Sequence, residues 1–357
     1  MPKTVGGLLL FSRTATERFA AGMTNMTTNL PLIRLSAINP FLLELTRRGV
    51  DPRTMLNDLG LPAEVPASHD LFVVSETVYE LVEKSAELAG DMYLGFTIGE
   101  ALDLQTWDPI TEAVDQASTV GELLTMFAVN AAGHSSATKF QLSTEGERST
   151  FGFERVRKPA FRPGQNDAFY MGFMRRLLKH ATRDRWDAAS VLFTVADPEC
   201  IPGNHETYRI AKGGRSGVHI TFPSHWLFER FEKSNFNSSL SKEPSREMPR
   251  SLLDALRSAL RPYLHESDLT ADKAAKLCGH DRRRLSRELR EIGTTLSKEI
   301  TKLRAEKASK QLLNTDYPVA EIAEAVGFTD PTVFSRAFKN WTGQSPREYR
   351  RTRKSPD

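Results

Sequence analysis

Arg283 and Arg287 stand four positions apart in the run Asp281 to Arg290, DRRRLSRELR, with Ser286 between them. On a helix that spacing sets two guanidinium forks on one face, each able to grip a guanine edge or clamp a phosphate. A second set follows about fifty residues later: Thr332, Ser335 and Arg336, with Lys339 one turn further on. Chemistry of this kind requires helices that bury one face and leave the cationic face in water.

The surrounding sequence supplies such helices twice. Ala274-Ala275-Lys276-Leu277-Cys278-Gly279-His280 precedes Leu285-Ser286-Arg287-Glu288-Leu289-Arg290; Ile322-Ala323-Glu324-Ala325-Val326-Gly327-Phe328 precedes Phe334-Ser335-Arg336-Ala337-Phe338-Lys339. The offset is 48 residues before the turn and 49 after it. In each copy a small Ala (Ala275, Ala323) permits close helix crossing, and Gly279 or Gly327 takes the left-handed position that ends the first helix. Asp281 caps the next helix in copy one; Thr329 or Asp330 does so in copy two, with Pro331 in the first turn. Leu285/Leu289 and Phe334/Phe338 dock each second helix on a core. Leu296 to Leu313 reads as one connecting helix, roughly 27 Å long at 1.5 Å per residue. That length suits two recognition helices about one duplex turn, ~34 Å, apart.

Charge agrees with a polyanionic partner. Residues 242–357 carry 24 Lys+Arg against 17 Asp+Glu, whereas the remaining 241 carry 24 against 28. A basic third thus sits on a mildly acidic body. With 357 residues, two domains are expected. Cys200 and Cys278, with no metal-type spacing, read as small buried or half-buried residues of a reducing compartment, which points to the cytoplasm. No apolar run reaches the ~18 residues of a membrane helix. Residues 1–29 read as a disordered leader or a start placed too early, with Met23 and Met26 as alternative initiators; the short apolar stretch Val5 to Phe11 suits a signal peptide less well.

The expected organisation is a leader at 1–29, an effector-binding and dimerisation domain at 30–232, a polar linker at 233–247, and an all-α domain at 248–357. In the first half, helices are expected from Asn39, from Met55 to Leu59, over Ser75 to Leu88 with Ser75 as cap, near 108–117 and 119–132, and over Asn166 to His180. The alternation at 138–157 reads as a β-hairpin, and Ser190 to Val195 and Val218 to Phe222 as strands. The fold class is therefore α+β followed by all-α. Phe169, Tyr170, Phe173 and Met174 fit plain core, a dimer face or an effector-pocket wall. Trp107, Phe153 and Arg162 join Phe169 and Tyr170 as effector-site candidates.

Residues 267–351 resemble the DNA-binding domain of the AraC/XylS family of bacterial regulators. The second unit carries the signature: Ile322-Ala323, Gly327-Phe328, Phe334 to Lys339, Trp341-Thr342-Gly343, Ser345-Pro346, Tyr349-Arg350; Arg304 and Ala308 match the linker helix. The resemblance implies DNA reading by Arg283, Ser286 and Arg287 in one helix and by Pro331, Thr332 and Arg336 in the other. Pro331 departs from the pattern, having no N–H to donate. Residues 38–225 are similar, through Gly49-Val50-Asp51, Gly90 to Gly99 and the hairpin, to the "arabinose-binding-like" effector domain of one subgroup. What this implies is a transcription regulator, an activator, with double-stranded DNA, a small-molecule effector, RNA polymerase and a second copy of itself as partners, and no cofactor, metal or membrane.

Catalytic patterns are absent from the sequence. His205-Glu206 lacks the second His of a zinc-protease helix; no GxSxG or Walker pattern occurs; Gly213 to Gly217 reads as a turn. An enzyme or sensor activity in the first half, with the last third as a targeting module, is the alternative reading. A protein-binding helical adaptor is another, and flat salt dependence would mark it.

Overall fold

A computed structural model describes residues 30–61, 71–102, 110, 113, 114, 116–203, 208–230, 248, 249 and 251–352. The expected leader at 1–29, the linker at 233–247 and Trp107 lie outside the described residues, as does half of the helix expected at 108–117.

The first ordered elements form a two-stranded ribbon. β1 (Leu32–Arg34) pairs antiparallel with β2 (Phe72–Val74), with Leu32 opposite Val74 and Ile33 opposite Val73. Between them lie a 3-10 turn (Leu35–Ile38), α1 (Asn39–Arg47) and α2 (Arg53–Asp58). β2 runs straight into α3 (Ser75–Ala89). Sequence reasoning expects Ser75 to cap this helix, but Val74 occupies the cap position and Ser75 is the first helical residue. The strand-to-helix junction accounts for this: the Ser75 N–H is already bonded to the Pro31 carbonyl at 2.9 Å, and its hydroxyl turns to Glu76.

α4 (Leu94–Ala101) and α5 (Val120–Ala131) follow, then the five-stranded sheet and α6 (Gly164–Thr182). The sheet order is β3-β4-β7-β5-β6, from β3 (Thr138–Glu145), β4 (Arg148–Arg155), β5 (Leu192–Val195), β6 (Arg209–Lys212) and β7 (Gly217–Pro223). The expected hairpin is β3–β4, closed where Glu145 faces Arg148. All pairings are antiparallel except β5 with β6. β6 is not visible in the sequence because it is a short, mostly exposed edge strand, and only Ile210 and Ala211 are half-buried. α4 and α6 cross at near backbone contact: a Cβ on Gly99 would lie 2.1 Å from the Phe169 carbonyl oxygen, and one on Gly172 2.3 Å from that of Phe96.

The last third is helical: α7 (Leu252–Leu260), a 3-10 turn (Arg261–Tyr263), α8 (Ala271–Leu277), α9 (Arg282–Glu291), α10 (Leu296–Asn314), α11 (Val319–Ala325), α12 (Pro331–Thr342) and α13 (Pro346–Thr352). Three buried clusters organise the described residues. The first fills the space between the sheet, α1 and α3–α6. The second joins Leu30, Leu32, Phe72 and Val74 to α7, α8, α9 and the start of α10. The third packs the end of α10 against α11 and α12, with Tyr349 of α13 against its edge. No described helix is long and apolar enough to cross a membrane.

Candidate nucleic-acid interface

Each helical pair is built by the same local chemistry. In the first, the Gly279 N–H bonds the Lys276 carbonyl and the His280 N–H reaches the Ala275 carbonyl; in the second, Gly327 bonds Glu324 and Phe328 bonds Ala323, all at 2.8–2.9 Å. This paired closure needs φ > 0 at the turn residue, and Gly279 (60°) and Gly327 (81°) provide it. Ala275 and Ala323 are buried, as expected for close helix approach.

The second helix of each pair starts on an aspartate. The Asp281 carboxylate accepts the Arg284 N–H at 2.9 Å, and that of Asp330 accepts the Thr332 N–H at 2.6 Å, settling the cap between Thr329 and Asp330. These backbone bonds hold the Asp330 carboxyl below its ordinary range. Pro331 occupies the first helical turn, where its missing N–H costs nothing. Leu285, Leu289, Phe334 and Phe338 are fully buried, fixing which face of α9 and α12 points outward.

That outward face carries the expected side chains. Arg283, Arg287, Thr332, Arg336 and Lys339 are exposed, and Ser286 and Ser335 are half-buried. Among the described residues, Arg283, Arg287 and Arg336 form no ion pair, while their neighbour Arg284 is held by Glu288 at 2.9 Å and Arg282 by Asp272. Of the five arginines on α9, Arg282 and Arg284 are thus paired with carboxylates, Arg290 donates to the Ser286 carbonyl, and Arg283 and Arg287 remain available for a partner. Ser335 is the weaker candidate, because its hydroxyl donates to the Pro331 carbonyl at 2.8 Å.

α10 links the pairs, and one of its residues does so directly. The Arg304 guanidinium donates to the Glu266 carbonyl ahead of the first pair at 2.6 Å and lies 5.8 Å from the Phe328 ring at the turn of the second. Arg304 is present in the sequence pattern, but its bridging contacts follow from chain crossing that no spacing reveals. Arg350, part of the C-terminal basic run, donates to the Tyr317 carbonyl and so braces α13 against the loop before α11.

A second site lies in the first half. A cavity of about 120 Å³ is lined by Phe153, Phe169 and Tyr170, three of the five effector candidates, together with Ile33, Tyr79, His134 and Phe140. Arg162 is exposed and is not among the lining residues. Ile33 was missed because a three-residue strand gives no periodicity to read. Phe140 was missed because one aromatic on a hairpin reads as ordinary core.

A family profile described as "Helix-turn-helix domain" matches residues 274–352, and one described as "Arabinose-binding domain of AraC transcription regulator, N-term" matches 49–209. "Transcriptional activator NphR" of Rhodococcus sp is 33% identical over 99 residues, 28% of this chain and 30% of that protein. "HTH-type transcriptional regulator VqsM" of Pseudomonas aeruginosa is 30% identical over 144 residues, 37% of this chain and 43% of that protein. Among solved structures, the C-terminal domain of AraT, a response regulator from Geobacillus stearothermophilus, is 39% identical, with 28% of this chain and 84% of that one covered and a TM-score of 0.27. The matched stretch spans under half the length of these two curated relatives.

Fold and site thus define a protein with an α+β half and a double helix-turn-helix. The chain belongs to the AraC family of transcription regulators.

Proposed function

We propose that this protein binds double-stranded DNA sequence-specifically in the cytoplasm and regulates transcription in response to a small molecule held in its first half. The observation that carries this reading is the pair of capped helices, α9 and α12, each turning exposed cations to solvent from an identically built glycine turn. An α-helix fits the major groove, and arginine there reads guanine O6/N7 or clamps phosphate. Arg283, Ser286 and Arg287 read one groove segment. Thr332, Ser335 and Arg336 read the next, with Lys339 on the backbone. The Arg304 bridge keeps the two readers in fixed relation, so the site is an asymmetric pair of short blocks.

Residues 30–232 hold the effector cavity and 248–357 the DNA-reading helices, with the junction at 233–247. The protein acts as an activator, as the printed name of the Rhodococcus relative says of that protein; it contacts RNA polymerase and works as a homodimer. The effector shifts the balance between DNA-competent and incompetent states only by binding one of them more tightly.

Selection of duplexes from a randomised DNA library by the full chain tests the reading. Enrichment of two conserved blocks with centres about 10 base pairs apart supports it. Recovery of no sequence, or of a single block, contradicts it.

A further inference from the structure

The cavity in the first half has a chemistry that narrows what it can hold. Its wall is almost wholly aromatic and aliphatic, with Phe140, Phe153 and Tyr170 mutually packed at ring-centroid distances of 5.1–6.0 Å. Among the described residues, no lysine or arginine lines it. The buried cation Arg155 lies 5.1 Å from the centre of the Phe153 ring and is held by Asp167 in a fully buried ion pair.

Polar groups at the wall are few and mostly engaged. The Ser135 hydroxyl oxygen accepts from the Ala137 N–H at 3.1 Å and from the Thr138 hydroxyl at 3.2 Å. The Arg155 guanidinium lies 5.2 Å from the centre of the Tyr79 ring, and His134 at the wall has a partner of its own. The exception is Tyr170: its hydroxyl is buried and has no hydrogen-bond partner among the described residues. Burial pushes that phenol well above its ordinary range, so it keeps its proton and can donate. A buried donor left unpaired is costly, and a ligand acceptor would relieve that cost.

We propose that the cavity binds a small, neutral, ring-sized apolar molecule carrying one hydrogen-bond acceptor, which accepts a hydrogen bond from the Tyr170 hydroxyl. This rests on the reading of the first half as an effector domain. The volume of about 120 Å³ suits such a molecule, since an apolar cavity of roughly 150 Å³ takes up benzene. A carboxylate or phosphate would be desolvated with no lysine or arginine of the described wall to meet it. A sugar would bury several hydroxyls against a wall made mostly of aromatic and aliphatic side chains. The site therefore departs from what the arabinose-binding description of the matching family profile suggests for its ligand.

The test uses the full chain and four probes: acetophenone, ethylbenzene (its isostere without the acceptor), benzoate and L-arabinose. Dissociation constants are measured by calorimetric titration for the wild type and Tyr170→Phe, a change that removes one oxygen and leaves packing intact. Acetophenone is expected to bind the wild type most tightly of the four. Tyr170→Phe should weaken acetophenone by roughly 2- to 12-fold, the span of one neutral hydrogen bond, and leave ethylbenzene unchanged or tighter. Equal acetophenone affinity for both proteins, tighter binding of benzoate or arabinose, or no binding of any probe overturns the proposal. Affinity for the selected duplex, measured with and without each probe, separates this from the sensing reading. If acetophenone binds through Tyr170 but leaves DNA affinity unmoved, the ligand class stands and the sensing role fails. If arabinose alone moves DNA affinity, the ligand class fails and sensing survives.

Discussion

Leu32 and Ile33 are neighbours on β1, yet they belong to different cores. Leu32 packs with α7 and the first helix-turn-helix pair, whereas Ile33 lines the cavity. Alternation along a strand puts them on opposite faces, so a three-residue ribbon is the party wall between sensor and reader. β1 is held by β2 on one side and by residues 134–136 on the other, where the Arg34 N–H bonds the His134 carbonyl at 2.8 Å. His134 and Ser135 line the same cavity. A shift of the wall on ligand entry therefore bears on the footing of α7.

If that wall is shared, Leu32→Ala should remove packing from the second cluster although residue 32 is far in sequence from residue 252. A loss of about 2–5 kcal/mol is expected for a fully buried leucine. Urea unfolding followed by far-ultraviolet circular dichroism measures it. A loss below 1 kcal/mol would show that β1 merely touches α7.

Arg304 bridges the two pairs, from the Glu266 carbonyl to the Phe328 ring. Arg304→Ala should lower affinity for a duplex carrying both blocks by about tenfold, the scale on which pre-organisation acts, and leave affinity for a single block unchanged. Equal losses on both duplexes would assign Arg304 to general stability instead.

Much of this was legible in advance, and the reason is local. The glycine turns, aspartate caps and buried Leu285/Leu289 and Phe334/Phe338 pairs are short-range devices whose residue types are dictated within a few positions. The β3–β4 hairpin and α6 were legible for the same reason. What stayed hidden depends on distant chain segments meeting. β1, β2 and β6 are too short to show a period, Ser75 yields the cap position to Val74, and Arg162 is exposed although it precedes a cavity-lining helix.

Asp330 holds the start of α12 through the Thr332 N–H. Asp330→Ala should cost about 0.5–2 kcal/mol, as helix caps do, and Asp330→Asn much less. Thermal unfolding of the three proteins checks this; equal melting temperatures for Ala and Asn would remove the cap from the account.

Glu83 gives a pH dependence with a definite sign. Burial raises its carboxyl from 4.5 to about 7, even though the Gln165 N–H bonds it at 2.8 Å. In the unfolded chain the group ionises near pH 4.3, so the folded state holds its proton to higher pH. Its favourable contribution is complete below that pH and is lost as pH rises toward 7. Glu83→Gln should match the wild type in melting temperature near pH 4 and exceed it increasingly up to pH 8. A difference that stays constant with pH would show that Glu83 ionises normally.

Guanine-methylation interference on the selected duplex tests the central claim most directly. Two interfering patches are expected in the major groove, on one face and about one turn apart, with Arg287→Ala erasing one and Arg336→Ala the other. Each change should cost about 1–3 kcal/mol of affinity. Patches that survive both substitutions, or that vanish together with either one, would contradict the assignment of α9 and α12 as separate readers.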